Sequence, residues 1–168
     1  MQIDFLADRP ELIQGLAPAI WGHWRTELPE DTTVEHRIAK LKSHLHKAKL
    51  PLAFVAHQNG KALGTAALRS QDLDDRNDLS PWLGGVFVLP EHRSQGIASA
   101  LCRAATAHAH AMGHPVLYLF TANKQVLYER LGWHTIQSAA WRGLCGSIMS
   151  INTNPANQLA TPCLRSPA

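Results

Sequence analysis

The sequence predicts a mixed α/β domain of the α+β kind, with a mostly antiparallel central sheet of about six or seven strands flanked by about four helices. Three observations carry this. Apolar runs of strand length, "LPLAFVAH", "ALGTAALR", "WLGGVFVL" and "VLYLFT", are bounded by turn residues. Between them lie stretches whose apolar residues recur at helical spacing. Trp82 to Phe120 reads strand, helix, strand, while the last two strand-like runs, "WHTIQSAAW" and "LCGSIMSI", follow each other across "RG" and read as an antiparallel pair.

Taken in order, "MQIDF" alternates as a first strand does. From Arg9 to Glu27, Leu12, Ile13, Leu16, Ile20, Trp21 and Trp24 recur near helical spacing, with Asp8 as the expected N-cap and Pro10 near the first helical position. Gly15 and Pro18 should weaken or kink that helix. A second helix is expected over Thr33 to Lys47, capped by Thr32 or Thr33, with its apolar row at Val34, Ile38, Leu41 and Leu45. "QNGK" is a hairpin turn between two strands, and "SQDLDDRNDLSP" a polar, acid-rich loop. A third helix runs from about Gly96 to Met112, closed by Gly113 and Pro115, and a short fourth spans Lys124 to Leu131. Residues 1–151 form one domain on this reading, and 152–168, with Pro155, Pro162 and Pro167, a loose tail.

Composition narrows the function classes. At 168 residues, 45% hydrophobic and 17% charged, the chain can bury a core without disulfide or metal staples and is too apolar to be disordered. A formal charge of +3, from 16 Lys and Arg against 13 Asp and Glu, gives no dense basic stripe, so a nucleic-acid partner is not expected. Cys102, Cys145 and Cys163 are odd in number and widely spaced, which points to free thiols in a reducing compartment. No basic, apolar leader and no run of eighteen apolar residues occurs, so a soluble, cytoplasmic protein without a membrane partner is expected. The pairs His44/His46 and His108/His110 stand two apart on predicted helices, where side chains diverge, and no metal is expected.

The stretch "VLPEHRSQGIASAL", residues 88–101, carries the chemistry. Pro90 ends a strand, Arg93 supplies a cation, and Ser94, Gln95, Gly96, Ile97 and Ala98 can direct successive N–H groups at an anion before a helix whose N-terminus is itself partly positive. The plain alternative is a strand-to-helix connection in which Gly96 serves only as a turn residue. Neither GxGxxG nor GxxxxGK[ST] is present, which disfavours a nucleotide-binding domain built on the same turn.

Arg93, Gly96 and Ala98 fit the R/Q-x-x-G-x-G/A motif, and the segment resembles the strand, turn and helix of the GNAT superfamily of acyl-CoA-dependent N-acetyltransferases. "LYERLGW", residues 127–133, resembles the family's L-Y-x-x-x-G-F/W segment at the expected distance, and "DLSPWLGGVFV" looks like a bacterial branch of small stand-alone members. The resemblance covers roughly residues 3 to 150. It implies acetyl-CoA as co-substrate and transfer to a primary amine of a small molecule or peptide, in a monomer or homodimer. A non-catalytic acyl-CoA-binding sensor or scaffold is the alternative.

The resemblance also implies roles. The amides from Ser94 to Ser99 would hold the coenzyme A pyrophosphate with charge from Arg93, and the pantetheine arm would pair with the strand at Phe87 and Val88. The Val86 amide would polarise the thioester carbonyl, with Gly84 and Gly85 letting the strands splay or bulge there. Tyr128 occupies the general-acid position, since a phenol stays protonated at neutral pH. Relatives often carry a carboxylate on the central strand, whereas Trp82 to Gly85 has no titratable side chain. The base is therefore Asp72, Asp74, Asp75 or Asp78 of the loop, or His57 or His134, or water alone. Thr121 replaces the asparagine often found seven positions before the tyrosine, which leaves Asn123 as the coenzyme-contact candidate. For the acceptor pocket, Trp82, Trp24, Asp72 and Asp78 are the candidates, with Trp21 assigned to the core.

Overall fold

The computed structural model describes residues 1–26 and 33–158. Seven strands form one sheet: β1 (Gln2–Phe5), β2 (Leu52–Gln58), β3 (Lys61–Arg69), β4 (Trp82–Val88), β5 (Val116–Thr121), β6 (His134–Trp141) and β7 (Leu144–Asn152). Their order is β1-β2-β3-β4-β5-β7-β6, antiparallel throughout except where β4 runs parallel to β5. The helices are α1 (Ile13–Trp24), α2 (Val34–Lys42), α3 (Ile97–Ala111), the short α4 (Gln125–Glu129) and a single turn, α5 (Pro155–Gln158).

β2 and β3 are buried on both faces, which explains why they are continuous apolar runs. Along β2, Ala53 and Val55 face one core and Leu52, Phe54 and Ala56 the other, the period of two expected of a strand. Leu12, Ile13, Leu16 and Ile20 of the first helical segment, with Leu41 of α2, cover the first face. Leu101, Cys102, Ala105 and Ala109 of α3 cover the second. Small alanines let α3 lie close to the strands. Emptying a site such as Leu16 or Ile20 by mutation to alanine costs about 2–5 kcal/mol.

Several expectations are corrected. Asp8 does not cap α1: it ends a 3₁₀ turn, Leu6–Asp8, and pairs with Lys47, while a second 3₁₀ turn at Pro10–Leu12 leads into the helix. Pro18 is accommodated inside α1, although its ring removes one helical hydrogen bond. Thr33 Oγ1 accepts from the His36 amide at 3.2 Å and caps α2, which stops at Lys42 rather than Lys47, so His44 and His46 lie beyond the helix. Thr32 and Glu27 lie outside the described residues.

At the C-terminal end β7 runs one residue past the expected boundary, pairing Asn152 with Val116. The buried Thr153 then donates its amide to Pro115 O at 3.0 Å and its hydroxyl to His114 O at 2.5 Å, and α5 follows. Residues 152–158 are thus part of the fold, and the remainder of the expected tail, with Cys163, lies outside the described residues. No helix among the described residues is long and apolar enough to cross a membrane.

Candidate active site

The parallel neighbours β4 and β5 pair at a single position, Trp82 with Tyr118. Beyond it they part, and a cleft of about 1120 Å³ opens along β4 between them. On its other edge β4 stays paired to β3, with a register shift opposite Gly85 and Val86 that marks a bulge. A parallel strand that loses its partner leaves its backbone groups facing the opening, and Val86, Phe87 and Val88 line it.

One end of the cleft is the turn into α3. Ser94 and Gly96 adopt left-handed φ values of 61° and 77°, and Gly96 caps the helix without any side chain accepting from it. A residue with a Cβ is strained at such a φ, which is why glycine stands there. The first helical bond runs from the Ala100 amide to Gly96 O, so the amides of Ile97, Ala98 and Ser99 have no acceptor within the helix. Ser94, Gly96, Ile97, Ala98 and Ser99 all line the cleft, whereas Gln95 does not. Arg93 Nε donates to Val88 O at 3.2 Å, tying the turn to the end of β4 while its charge stays at the cleft mouth. Nothing lies within 4 Å of a Cβ built on Gly96, so the space above the turn is open for an anion.

On the opposite wall, Tyr128 comes from α4 and is 7% exposed, its ring edge-on to Trp133 at 6.0 Å between centroids. Burial is the main cause that raises its phenol pKa, with smaller contributions from Cys102 and Asp72. Its hydroxyl makes no hydrogen bond to protein among the described residues. Asn123 lines the same wall, and Thr121 Oγ1 accepts from the Lys124 amide at 3.0 Å, starting α4.

Beneath Gly84 and Gly85 lies an ion pair, Arg69 Nη1 to Asp72 Oδ1 at 2.6 Å. A Cβ on Gly84 would come within 2.8 Å of Asp72 Oδ1, and one on Gly85 within 2.9 Å of Arg69 Nη2. Past this pair the cleft reaches α1 and α2, where Trp24 packs edge-on against Phe87 at 5.7 Å. His44 donates from Nδ1 to Lys40 O at 2.6 Å, and burial with the positive charge of Arg69 pushes its pKa down to about 4.

The structure does not bring all the expected residues together. Trp82 is fully buried against Leu73 and Ile148, with Nε1 donating to Leu79 O at 2.7 Å, and does not reach the cleft. Trp21 is partly exposed, with the Arg25 guanidinium 5.3 Å over its ring, and does not line the cleft. Asp78 is held by Arg76 at 2.9 Å away from the cleft, and Asp75 and His134 do not line it. His57 donates to Asp4 Oδ2 at 2.9 Å near the far edge of the sheet. Asp72 and Asp74 remain as the cleft carboxylates among the described residues. Arg69, Arg37, Lys40 and His23 line the cleft without having been singled out in the sequence, as does His44, weighed there only as a metal ligand. Arg69 had the clearest signal, a cation ending a strand beside an acidic loop. Among the described residues no group of His, Cys, Asp or Glu is placed to hold a metal.

Solved structures share this architecture. The aminoglycoside 6'-N-acetyltransferase from Enterococcus faecium superposes with a TM-score of 0.71 at 15% identity, over 92% of this chain and 98% of that one. A spermidine N-acetyltransferase chimera of Vibrio cholerae SpeG and hSSAT gives 0.69 at 17% identity, over 96% and 100%. YncA, a putative acetyltransferase from Salmonella typhimurium solved with acetyl-CoA, gives 0.64 at 17%, over 92% and 94%. No curated protein matches significantly in sequence. A family model described as an acetyltransferase (GNAT) domain matches residues 51–135, from the start of the β2–β3 hairpin through the α3 turn and Tyr128, and the chain therefore belongs to the GNAT acetyltransferase family.

Proposed function

We propose that the protein moves an acetyl group from acetyl-CoA directly to a primary amine of a small molecule or peptide. One observation carries the reading: free helix amides at residues 97–99 and the unpartnered Tyr128 hydroxyl face one cleft, on either side of the strand edge that β5 has left. The amides fit a diphosphate, since they are unpaired donors at the positive end of a helix with open space above Gly96. Phe87 and Val88 would receive the pantetheine arm along the freed edge, and Asn123 would contact the coenzyme from the other wall.

In this reading each residue has one task. The Val86 N–H, beside the bulge, stabilises the oxyanion that forms as the amine attacks, a contribution of about 100- to 1000-fold in rate. Tyr128 gives its proton to the departing thiolate, and its raised pKa keeps that proton in place until needed. Trp24 walls the acceptor side. The amine acceptor is supported by the family and by the aminoglycoside and spermidine enzymes that share the fold. The buried Cys102 and exposed Cys145 are free thiols, which accords with a cytoplasmic setting.

The test is thiol release from acetyl-CoA against a panel of primary amines. Amine-dependent release is the expected result. Binding of acetyl-CoA without release for any amine would instead mark a sensor or scaffold, the reading that the absence of a carboxylate on Trp82 to Gly85 favours.

A further inference from the structure

Building on the acetyl-transfer reading, we propose that Asp72 is the carboxylate that receives the acceptor's ammonium group and takes its proton, presented to the cleft through the gap that Gly84 and Gly85 leave in β4. Arg69 is its positioning residue. The gap is the first observation. Gly84 has no left-handed φ, so its backbone suits any residue, yet a Cβ there would stand 2.8 Å from Asp72 Oδ1 and 3.0 Å from Arg69 Nη1. Glycine at 84 is therefore explained by space. What fills that space is an ion pair brought in by the end of β3 and the loop after it.

The second observation is how the carboxylate is held. Arg69 fixes Oδ1 at 2.6 Å, both side chains are only about one-fifth exposed, at 22% and 21%, and Oδ2 has no protein donor among the described residues. One oxygen is anchored and the other is available to a ligand. A cation that lost its water here would find a charged acceptor already oriented, which a solvated surface acid does not offer.

A third observation places the group relative to the chemistry. Asp72, Val86 and Tyr128 all line the same cleft. The other titratable groups fit the task less well. Asp74 lines the cleft but is exposed and has no cation to hold it among the described residues, His44 spends Nδ1 on Lys40 O, and His57, His134, Asp75 and Asp78 do not line the cleft.

The step balances as follows. Oδ2 accepts the N–H of R–NH3+ and takes one proton, leaving R–NH2. The nitrogen lone pair forms the C–N bond at the acetyl carbonyl, whose oxygen becomes the oxyanion. Collapse breaks the C–S bond, Tyr128 protonates the sulfur, and the second nitrogen proton restores the phenol. Asp72 returns its proton to water, so R–NH3+ and acetyl-CoA give R–NH–CO–CH3, CoA–SH and H+.

Two variants test it in the thiol-release assay, with acetyl-CoA binding measured by thermal shift. Asp72→Asn keeps the shape and loses the charge, and amine-dependent kcat/KM should fall about 100-fold with acetyl-CoA binding unchanged. In the second, Asp72→Ala lowers turnover equally, and adding Gly84→Asp returns a carboxyl group to the same point from the strand and restores at least tenfold. A purely structural Asp72 would not be rescued from another strand. Wild-type turnover in Asp72→Asn, or a double variant that binds acetyl-CoA yet recovers nothing, would overturn the assignment. Silence of the wild type toward every amine would remove the transfer reading itself, and this one with it.

Discussion

Tyr128 lies at the junction of three influences, burial, the sulfur of Cys102 and the carboxylate of Asp72, all of which raise its pKa. A phenol so placed stays a donor at any pH at which the protein would work. Tyr128→Phe should lower kcat about 100-fold and leave the acetyl-CoA-induced thermal shift intact, because only the hydroxyl leaves. His44 gives a second residue-scale prediction. Its pKa falls from 6.5 unfolded to about 4 folded, so the unfolded chain binds the extra proton first. Its contribution is complete above about pH 6.5 and is lost as pH falls toward 4, on the order of 3 kcal/mol in all. Melting curves should show a shallower pH slope across that window for His44→Gln than for wild type. Tyr128 was legible in the sequence from its segment. The tryptophans were legible only in part: Trp24 lines the cleft, whereas strand pairing buries Trp82, and Trp21 lies partly exposed under Arg25 rather than in the core. Asp72 stood with Asp78 for the acceptor pocket and among four loop acids for the base; the fold leaves it and Asp74 on the cleft and pairs Asp72 with Arg69.

At the scale of the element, the turn from β4 into α3 matters most. Its left-handed glycine and unpaired helix amides were readable in advance, since a glycine turn, a helix start and an apolar strand end each leave a local mark on sequence. The left-handed Ser94 left none, because serine rarely takes that conformation. Gly96→Ala meets no steric obstacle, only the cost of φ 77°. It should lose about 1 kcal/mol of stability in denaturant unfolding and weaken acetyl-CoA binding measurably by calorimetry, while Ala100→Ser one turn on should do neither. The early stop of α2 was harder to foresee. Its apolar row continues to Leu45, yet the chain leaves the helix after Lys42, and His44 turns in to bond Lys40 O.

Across the whole molecule the cleft exists because β4 and β5 part after one pair, and β5 is drawn away by β7, with which it pairs along its full length. Strand existence and the antiparallel end pair were legible; the order β5-β7-β6 was not, since it is set by contacts distant in sequence. That order makes the end of β7 structural. Ending the chain at Ile151 removes the Asn152 pairing and the Thr153 bonds, and should lower stability by about 2 kcal/mol in denaturant unfolding. The central claim is that one cleft grips a diphosphate at the α3 turn and sets a thioester beside Tyr128. A crystal structure with coenzyme A bound tests it most directly. The account predicts pyrophosphate oxygens within hydrogen-bonding distance of the amides of residues 94–99, and the sulfur next to the Tyr128 hydroxyl and the Val86 N–H. A diphosphate seated elsewhere, or a sulfur remote from Tyr128, would contradict it.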